Sequence, residues 1–478
     1  MKNKLKIALI YASLPSYFPE KFNVWARAEA TLSKLCEELG TDLFVYPEIP
    51  MDGRDTLRAL EICQNANVDF ILLLHGGFTM GDVARTIAAS PFRAGFWSVP
   101  EPIRTGDIQL NNFVSLNMSM SIARQVRDLE FNPIQWYHGA PESTALQMRL
   151  RTTFSALLAV KAISHARVGV IGGLAMTFYN MEVSSNLLRE RLGIDVTNHD
   201  MHELTNRMAS QPDERINKEI LQMLATAPVD GVTEAQMKLT AQAALALRDI
   251  AKQNNYDALA VSDWPALQDS PGMHPGAAFT LLEEVDHLPV ASEGDILGAV
   301  TQLAAKSLTG RVGYLLDMTE PDLDTEQLLM WHAGGGPVYL ADSAGARWIN
   351  HPMIGRGTAA GAVYGAIADL VFCDGPVSVF RIARDAGALF QMTANIVGRD
   401  PSGFDGCRGW LESFDISGTP AKLEDVIATV MAHGLEHHFV LVPGDISAEL
   451  AEFGAWSGLA PLTFRPMRNH LLVTDFSG

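Results

Sequence analysis

A chain of 478 residues exceeds what one hydrophobic core supports, and ordinary domain sizes suggest roughly three compact units. Apolar residues make up 47% and charged residues 19%, with no apolar run long enough to cross a bilayer, which describes a soluble globular protein. A formal net charge of −19 argues against nucleic-acid and anionic-membrane partners, which need a concentrated basic face, and leaves a small molecule as the expected partner.

Lys2, Lys4 and Lys6 precede the apolar stretch 7–11 and imitate a signal peptide, but the stretch has strand length and no small-residue cleavage site follows it. It reads as a first strand. A helix near 25–39, the strand DLFVYPEI, a helix near 56–65 and the strand DFILLLHGG follow, so the chain opens with a βαβαβ unit. Gly76 and Gly77 end that last strand, as a tight βα turn requires. GFWSVP adds a strand, and a helical region around 146–165 completes the unit. A second α/β series starts at RVGVIGG (167–173) and continues through NLLRERLG, the strand IDVTNHD and a helix over 233–253. Three strands follow, ending near Trp264, Glu293 and Asp317. After Gly334 the pattern turns β-rich, and VSVFRIARDAGALFQMTANIVG reads as a hairpin around a DAG turn. The helix LEDVIATVMAHG, the strand HHFVLVPGD and a last helix close the chain. The predicted fold class is α/β: two Rossmann-like doubly wound α/β domains (1–163 and 164–318), followed by a β-rich C-terminal domain with terminal helices (319–478).

Chemistry concentrates in LPVASEGDILGAVTQLAAKSLTGRVGYLLD. A strand runs into an acidic turn, then into a helix ended by Thr309-Gly310, and returns as a strand to Asp317. This reading puts Glu293 and Asp317 at the carboxyl ends of two parallel strands, where open α/β sheets bind ligands, with Asp263 and Trp264 on the same rim. Two carboxylates facing one cleft need a proton or a cation between them. His332, beside a glycine run, and the pair His437-His438, at the start of a strand, favour a divalent metal of the Mn²⁺ type over structural Zn²⁺. Taken singly, each residue has a plainer explanation. Glu293 or Asp295 would cap the helix, Asp317 would end a strand, and His332 would be a core histidine. Asp295 is assigned the cap. Adjacent strand residues face opposite sides, so one of His437 and His438 is expected to reach the site. Cys36, Cys63, Cys373 and Cys407 lack paired spacing, which suggests neither a zinc site nor disulfides and fits a cytoplasmic protein.

Over about residues 255–445 the chain resembles the fucose isomerase and arabinose isomerase superfamily. The resemblance rests on Ser292-Glu293-Gly294-Asp295 with Gly298, on Leu308-Thr309-Gly310, and on Asp317 at the interval seen in fucose isomerases. It rests also on His438 in HHFVLVPGD and Trp264 in DWPALQ. His332 matches a further histidine of the arabinose isomerases, so the chain follows neither enzyme throughout and the sugar stays open. The resemblance implies an aldose–ketose isomerase working through a cis-enediol(ate). Glu293 and Asp317 would be catalytic and metal-binding, His438 and His332 further ligands, and Trp264, His332 and His437 substrate contacts. It further implies Mn²⁺ or another divalent cation such as Mg²⁺ or Co²⁺, a sugar substrate, and a trimer or hexamer. Arg381, Arg384, Arg399 and Arg408 are candidates for an anion pocket. Two other classes stay open: a sugar-binding receptor-like protein, and a nucleotide-dependent α/β enzyme using VGVIGGLAMTF, which lacks the second half of a glycine fingerprint.

Overall fold

The computed structural model describes residues 4–353 and 365–470, so Lys2 and the ends of the expected third domain at 471–478 lie outside it. The described residues form two compact units, one within 4–161 with 455–458, and one of 162–353, 365–454 and 459–470.

The first unit is built on five parallel strands: β1 (Lys6–Ala12), β2 (Asp42–Val45), β3 (Phe70–His75), β4 (Arg93–Ser98) and β5 (Ile134–His138). Their order is β2-β1-β3-β4-β5, a doubly wound arrangement. β3 is buried at every position, which explains its unbroken apolar sequence. The helix Val24–Leu39 ends at Gly40 (φ 66°), and Asp52 caps Gly53–Asn65 by accepting from the Arg54 and Asp55 amides.

The second unit contains a four-stranded parallel sheet of β6 (Arg167–Ile171), β7 (Asp195–His199), β8 (Ala258–Val261) and β9 (Val290–Ala291), in the order β7-β6-β8-β9. The next strand departs from the sequence expectation. β10 (Tyr314–Asp322) does not extend this sheet; it lies antiparallel between β11 (Gln327–His332) and a later strand, β18. The intervening strands are β12 (Arg347–Asn350), β13 (Ala366–Val371), β14 (Gly375–Ala383), β15 (Ala388–Val397), β16 (Cys407–Ile416) and β17 (Thr419–Ala421), and β18 spans His438–Pro443. In the run β16-β11-β10-β18-β14-β15, the last strand pairs back onto the first, so six antiparallel strands close into a ring. Strands in a closed ring have no free edge. β14 and β15 form the expected hairpin, whose turn holds Arg384, Asp385 and Ala386 at φ of 52°, 54° and 60°. The expected boundary at 318/319 therefore falls inside β10, and the central and C-terminal portions share one unit.

The helix Ile296–Thr309 joins the two sheets of this unit, packing on β8 and β9 and also on β14 and β18. It is apolar nearly all round, as a helix buried between layers must be. Beside it, the helix Gly276–Val285 carries Glu283, 5% exposed, whose Oε1 accepts from Gln302 Nε2 (2.7 Å) and the Val290 amide (3.4 Å). Burial pushes this carboxyl up to about 8, so it is neutral in the fold at pH 7. A raised folded pKa means stability is fully present below the unfolded value of 4.5 and is lost as pH rises through about 8. Melting curves from pH 5 to 9 should therefore fall for the native chain. For Glu283→Gln they should stay flatter, with the variant melting higher at pH 9; parallel curves would show that Glu283 does not titrate in this range.

Candidate active site and metal centre

Glu293 follows β9 in a tight turn with φ 61°, ψ 11°, a left-handed conformation that costs a non-glycine residue about 1–3 kcal/mol unless its surroundings impose it. They do. The Glu293 amide donates to Asp263 Oδ1 (2.6 Å), and its carbonyl accepts from the Ala175 amide (2.9 Å). Asp263 is itself buried, with its second oxygen 3.4 Å from His274 Nε2. At Gly294, a Cβ would lie 2.2 Å from the Gly173 carbonyl oxygen, so the turn needs glycine there. Asp295 caps the following helix as expected, its Oδ1 accepting from the Gly298 amide (2.8 Å).

Asp317 and His438 are register partners on β10 and β18 and face each other across the antiparallel ladder. His438 is fully buried. Its Nδ1 lies 3.0 Å from Asp295 Oδ2, and its Nε2 lies 3.5 Å from Glu293 Oε2 and 3.8 Å from Asp317 Oδ1. Asp295 also takes a forked ion pair from Arg381 (2.8 and 3.1 Å), whose Nη1 reaches the His438 carbonyl (3.0 Å) and whose Nε lies 3.1 Å from Glu436. Burial alone would raise the Asp295 carboxyl, but Arg381 and His438 hold it well below the usual range. The Asp295 carboxylate holds a proton on His438 Nδ1 and turns Nε2 toward Glu293 and Asp317; burial alone would lower this imidazole, but the hydrogen bond to Asp295 and the charges of Asp317, Asp295 and Glu293 raise it above its ordinary value. Desolvation pushes Asp317 up to about 6, against the lowering effect of His438 and His437, and Glu293 adds to the rise. Asp317 Oδ1 and His438 Nε2 are both buried without a hydrogen-bond partner. Two carboxylates and an imidazole nitrogen thus converge on one point, and such orphaned groups call for a proton or a cation between them.

His332, at the end of β11, belongs to a possible cation-binding set with Asp317 and His438; a second set joins Glu293, His437 and His438. His332 Nδ1 accepts from the Gly334 amide (2.8 Å), so its neutral ring carries the proton on Nε2, and burial keeps it neutral. Trp264 is 37% exposed, 6.1 Å from the Phe178 ring.

Three expectations need correction. Glu293 and Asp317 do not end two parallel strands: one follows a parallel strand, the other sits within an antiparallel one. Both His437 and His438 reach Glu293, because His437 precedes the strand and escapes its alternation; its Nε2 lies 3.1 Å from Glu293 Oε2. Among the described residues the four arginines meet four separate partners rather than one shared site. Arg381 pairs with Asp295, Arg399 with Asp322 and Arg408 with Asp369, while Arg384 meets His433.

No protein-family model matches the chain. It resembles sulfoquinovose isomerases. The relative from Alkalicoccus urumqiensis is 27% identical over 365 residues, covering 75% of this chain and 77% of the relative. The one from Priestia aryabhattai is 26% identical over 370 residues, with the same coverage. Among solved structures, an ABC transporter solute-binding protein from Agrobacterium vitis bound with α-D-tagatopyranose matches at 14% identity, covering 65% of this chain and 90% of that one. Its TM-score of 0.17 carries no argument about fold or function. The sequence placed Asp263 on the rim and Arg381 among the candidate anion ligands, but the hold of Asp263 on the Glu293 amide and the tie from Arg381 through Asp295 to His438 were not foreseen. Asp263 and Asp295 each lie within three residues of an assigned site residue, which was the available signal.

Proposed function

We propose that the chain is a divalent-metal-dependent aldose–ketose isomerase acting on an open-chain sugar, with a sulfonated aldohexose such as sulfoquinovose as the first substrate to test. The observation that carries the reading is the convergence of Glu293, Asp317 and His438 Nε2, with two of these atoms buried and orphaned. The relatives named sulfoquinovose isomerase support it independently.

Glu293, Asp317 and His438 fit a hard divalent cation of the Mn²⁺, Mg²⁺ or Co²⁺ kind, and His438 has the carboxylate behind it that metal-ligating histidines normally have. Such a cation would supply positive charge beside O1 and O2 of the sugar, acidifying the C2 hydrogen and stabilising the enediolate. Asp317, raised toward neutrality, is suited to accept the C2 proton and return it to C1 while the O2 proton ends on O1. Glu293, whose Oε2 lies 3.5 Å from the same His438 nitrogen, is the second carboxylate available for proton transfer. His332 offers an Nε2 proton rather than a lone pair, which favours a hydrogen bond to a sugar oxygen over metal ligation. Trp264 and Phe178 form an aromatic wall for the sugar.

Mn²⁺ added to chelator-treated protein is expected to raise the melting temperature and restore interconversion of sulfoquinovose and its ketose, without NAD or ATP. Full turnover in metal-stripped protein would sink the reading; tight sugar binding without turnover would favour a receptor. Trimeric or hexameric assembly, which rests on the family resemblance, and a cytoplasmic location, which rests on cysteines without paired spacing, belong to the same proposal. No helix among the described residues is long and apolar enough to cross a membrane.

A further inference from the structure

The segment between β6 and the helix Ser185–Leu192 has an unusual backbone. Gly172, Gly173 and Thr177 have φ of 80°, 76° and 78°, and a β-branched residue rarely adopts such a value. The segment lies against the Glu293 turn. Gly173 meets Gly294 too closely for any side chain there, and the Ala175 amide donates to the Glu293 carbonyl (2.9 Å). Three residues on, Phe178 lies over His437, with ring centroids 5.2 Å apart and an interplanar angle of 34°. Asn180 then places its amide nitrogen 3.0 Å from His437 Nδ1.

These contacts fix a proton. Carboxylate oxygens accept hydrogen bonds, so the 3.1 Å contact pairs Glu293 Oε2 with a proton on His437 Nε2. The other ring nitrogen, Nδ1, faces the Asn180 amide nitrogen, a donor, and so accepts from it. With both ring nitrogens engaged, His437 is a support for Glu293 and not the direct substrate contact expected from the sequence. The strained segment is therefore tied to Glu293 twice, once through backbone and once through His437.

We propose that Asn180 is a positioning residue: by donating to His437 Nδ1 it holds the imidazole as the Nε2–H tautomer, and this imidazole in turn orients the Glu293 carboxylate. The inference rests on the isomerase reading for its kinetic consequence alone; the tautomer itself can be read without turnover. Asn180→Ala leaves Nδ1 without its donor, frees the ring to change tautomer, and loosens Glu293 in the step where its position matters. The loss therefore falls on kcat rather than on sugar binding.

Two measurements test it. In metal-free protein labelled with ¹⁵N-histidine, with His437 assigned by its absence in His437→Gln, the native chain should show a protonated Nε2 and a bare Nδ1. Asn180→Ala should show a mixture; an unchanged tautomer there overturns the proposal. In the Mn²⁺-loaded enzyme, Asn180→Ala should lower kcat about tenfold with KM within about twofold. On a His437→Gln background, whose amide donates to Glu293 without help, the same change should have no further effect. Equal losses on both backgrounds, or a loss confined to KM, overturn it. An enzyme inactive on every sugar would count against the isomerase reading and leave the tautomer measurement to decide the relay.

Discussion

Asp317→Asn is expected to lower kcat by about 10³-fold or more, since the change removes a proton carrier and an anionic ligand from one position. The thermal shift on adding Mn²⁺ should shrink with it. Stability of the metal-free protein should behave otherwise. The Asp317 carboxyl is raised to about 6 from an ordinary 3.8, so its contribution is present below 3.8 and lost as pH rises through 6. At pH 8 the native metal-free protein holds a desolvated carboxylate facing Glu293, and asparagine relieves that. The variant should melt no lower than the native chain at pH 8, and close to it at pH 4. An active Asp317→Asn enzyme that keeps its Mn²⁺ response would end the assignment of this pocket.

Asp295→Asn carries the second large effect, and it reverses the sequence expectation that a capping residue is cheap to change. A lost helix cap costs about 1 kcal/mol. Asp295 does more, since it is fully buried, takes the fork of Arg381 and holds His438 Nδ1. Removing one charge from a buried pair costs about 3–5 kcal/mol, and here the arginine is left buried with Glu436 as its remaining counter-charge, so the lower end is expected. The loss of an orienting carboxylate should also weaken Mn²⁺ binding by about 10- to 100-fold. Calorimetric titration of the purified variant with Mn²⁺ checks the second effect, and denaturant unfolding the first. A loss near 1 kcal/mol with unchanged Mn²⁺ affinity would return Asp295 to the single role of cap.

Much of the fold was legible where one physical signal dominated. The helix at 24–39, the buried strand at 70–75 and the hairpin around Asp385 announced themselves through period, unbroken apolarity and turn chemistry. The helices Gly81–Ala88 and Asn112–Val126 and the strand Ile134–His138 were passed over, and in the second of these polar Asn112, Ser115 and Ser119 are buried, which blurs its apolar face. The residues that bear the candidate chemistry were legible by motif, whereas the architecture holding Asp317 was not. A strand after a helix in an α/β series reads as the next parallel strand, and only pairing with β11 and β18 reveals an antiparallel one. Arg381 was invisible as a partner of Asp295 because 86 residues separate them, and burial of a charge cannot be read from its own strand.

The direct opposition of Asp317 and His438 on β10 and β18 bears on which changes of length the chain can absorb. Their separation is set by a backbone ladder inside a closed ring, so the loops joining the strands can grow or shrink without altering it. Within β10 or β18 the tolerance vanishes. Deleting one residue before Asp317 turns it to the opposite face of the sheet, and no movement of a loop brings it back.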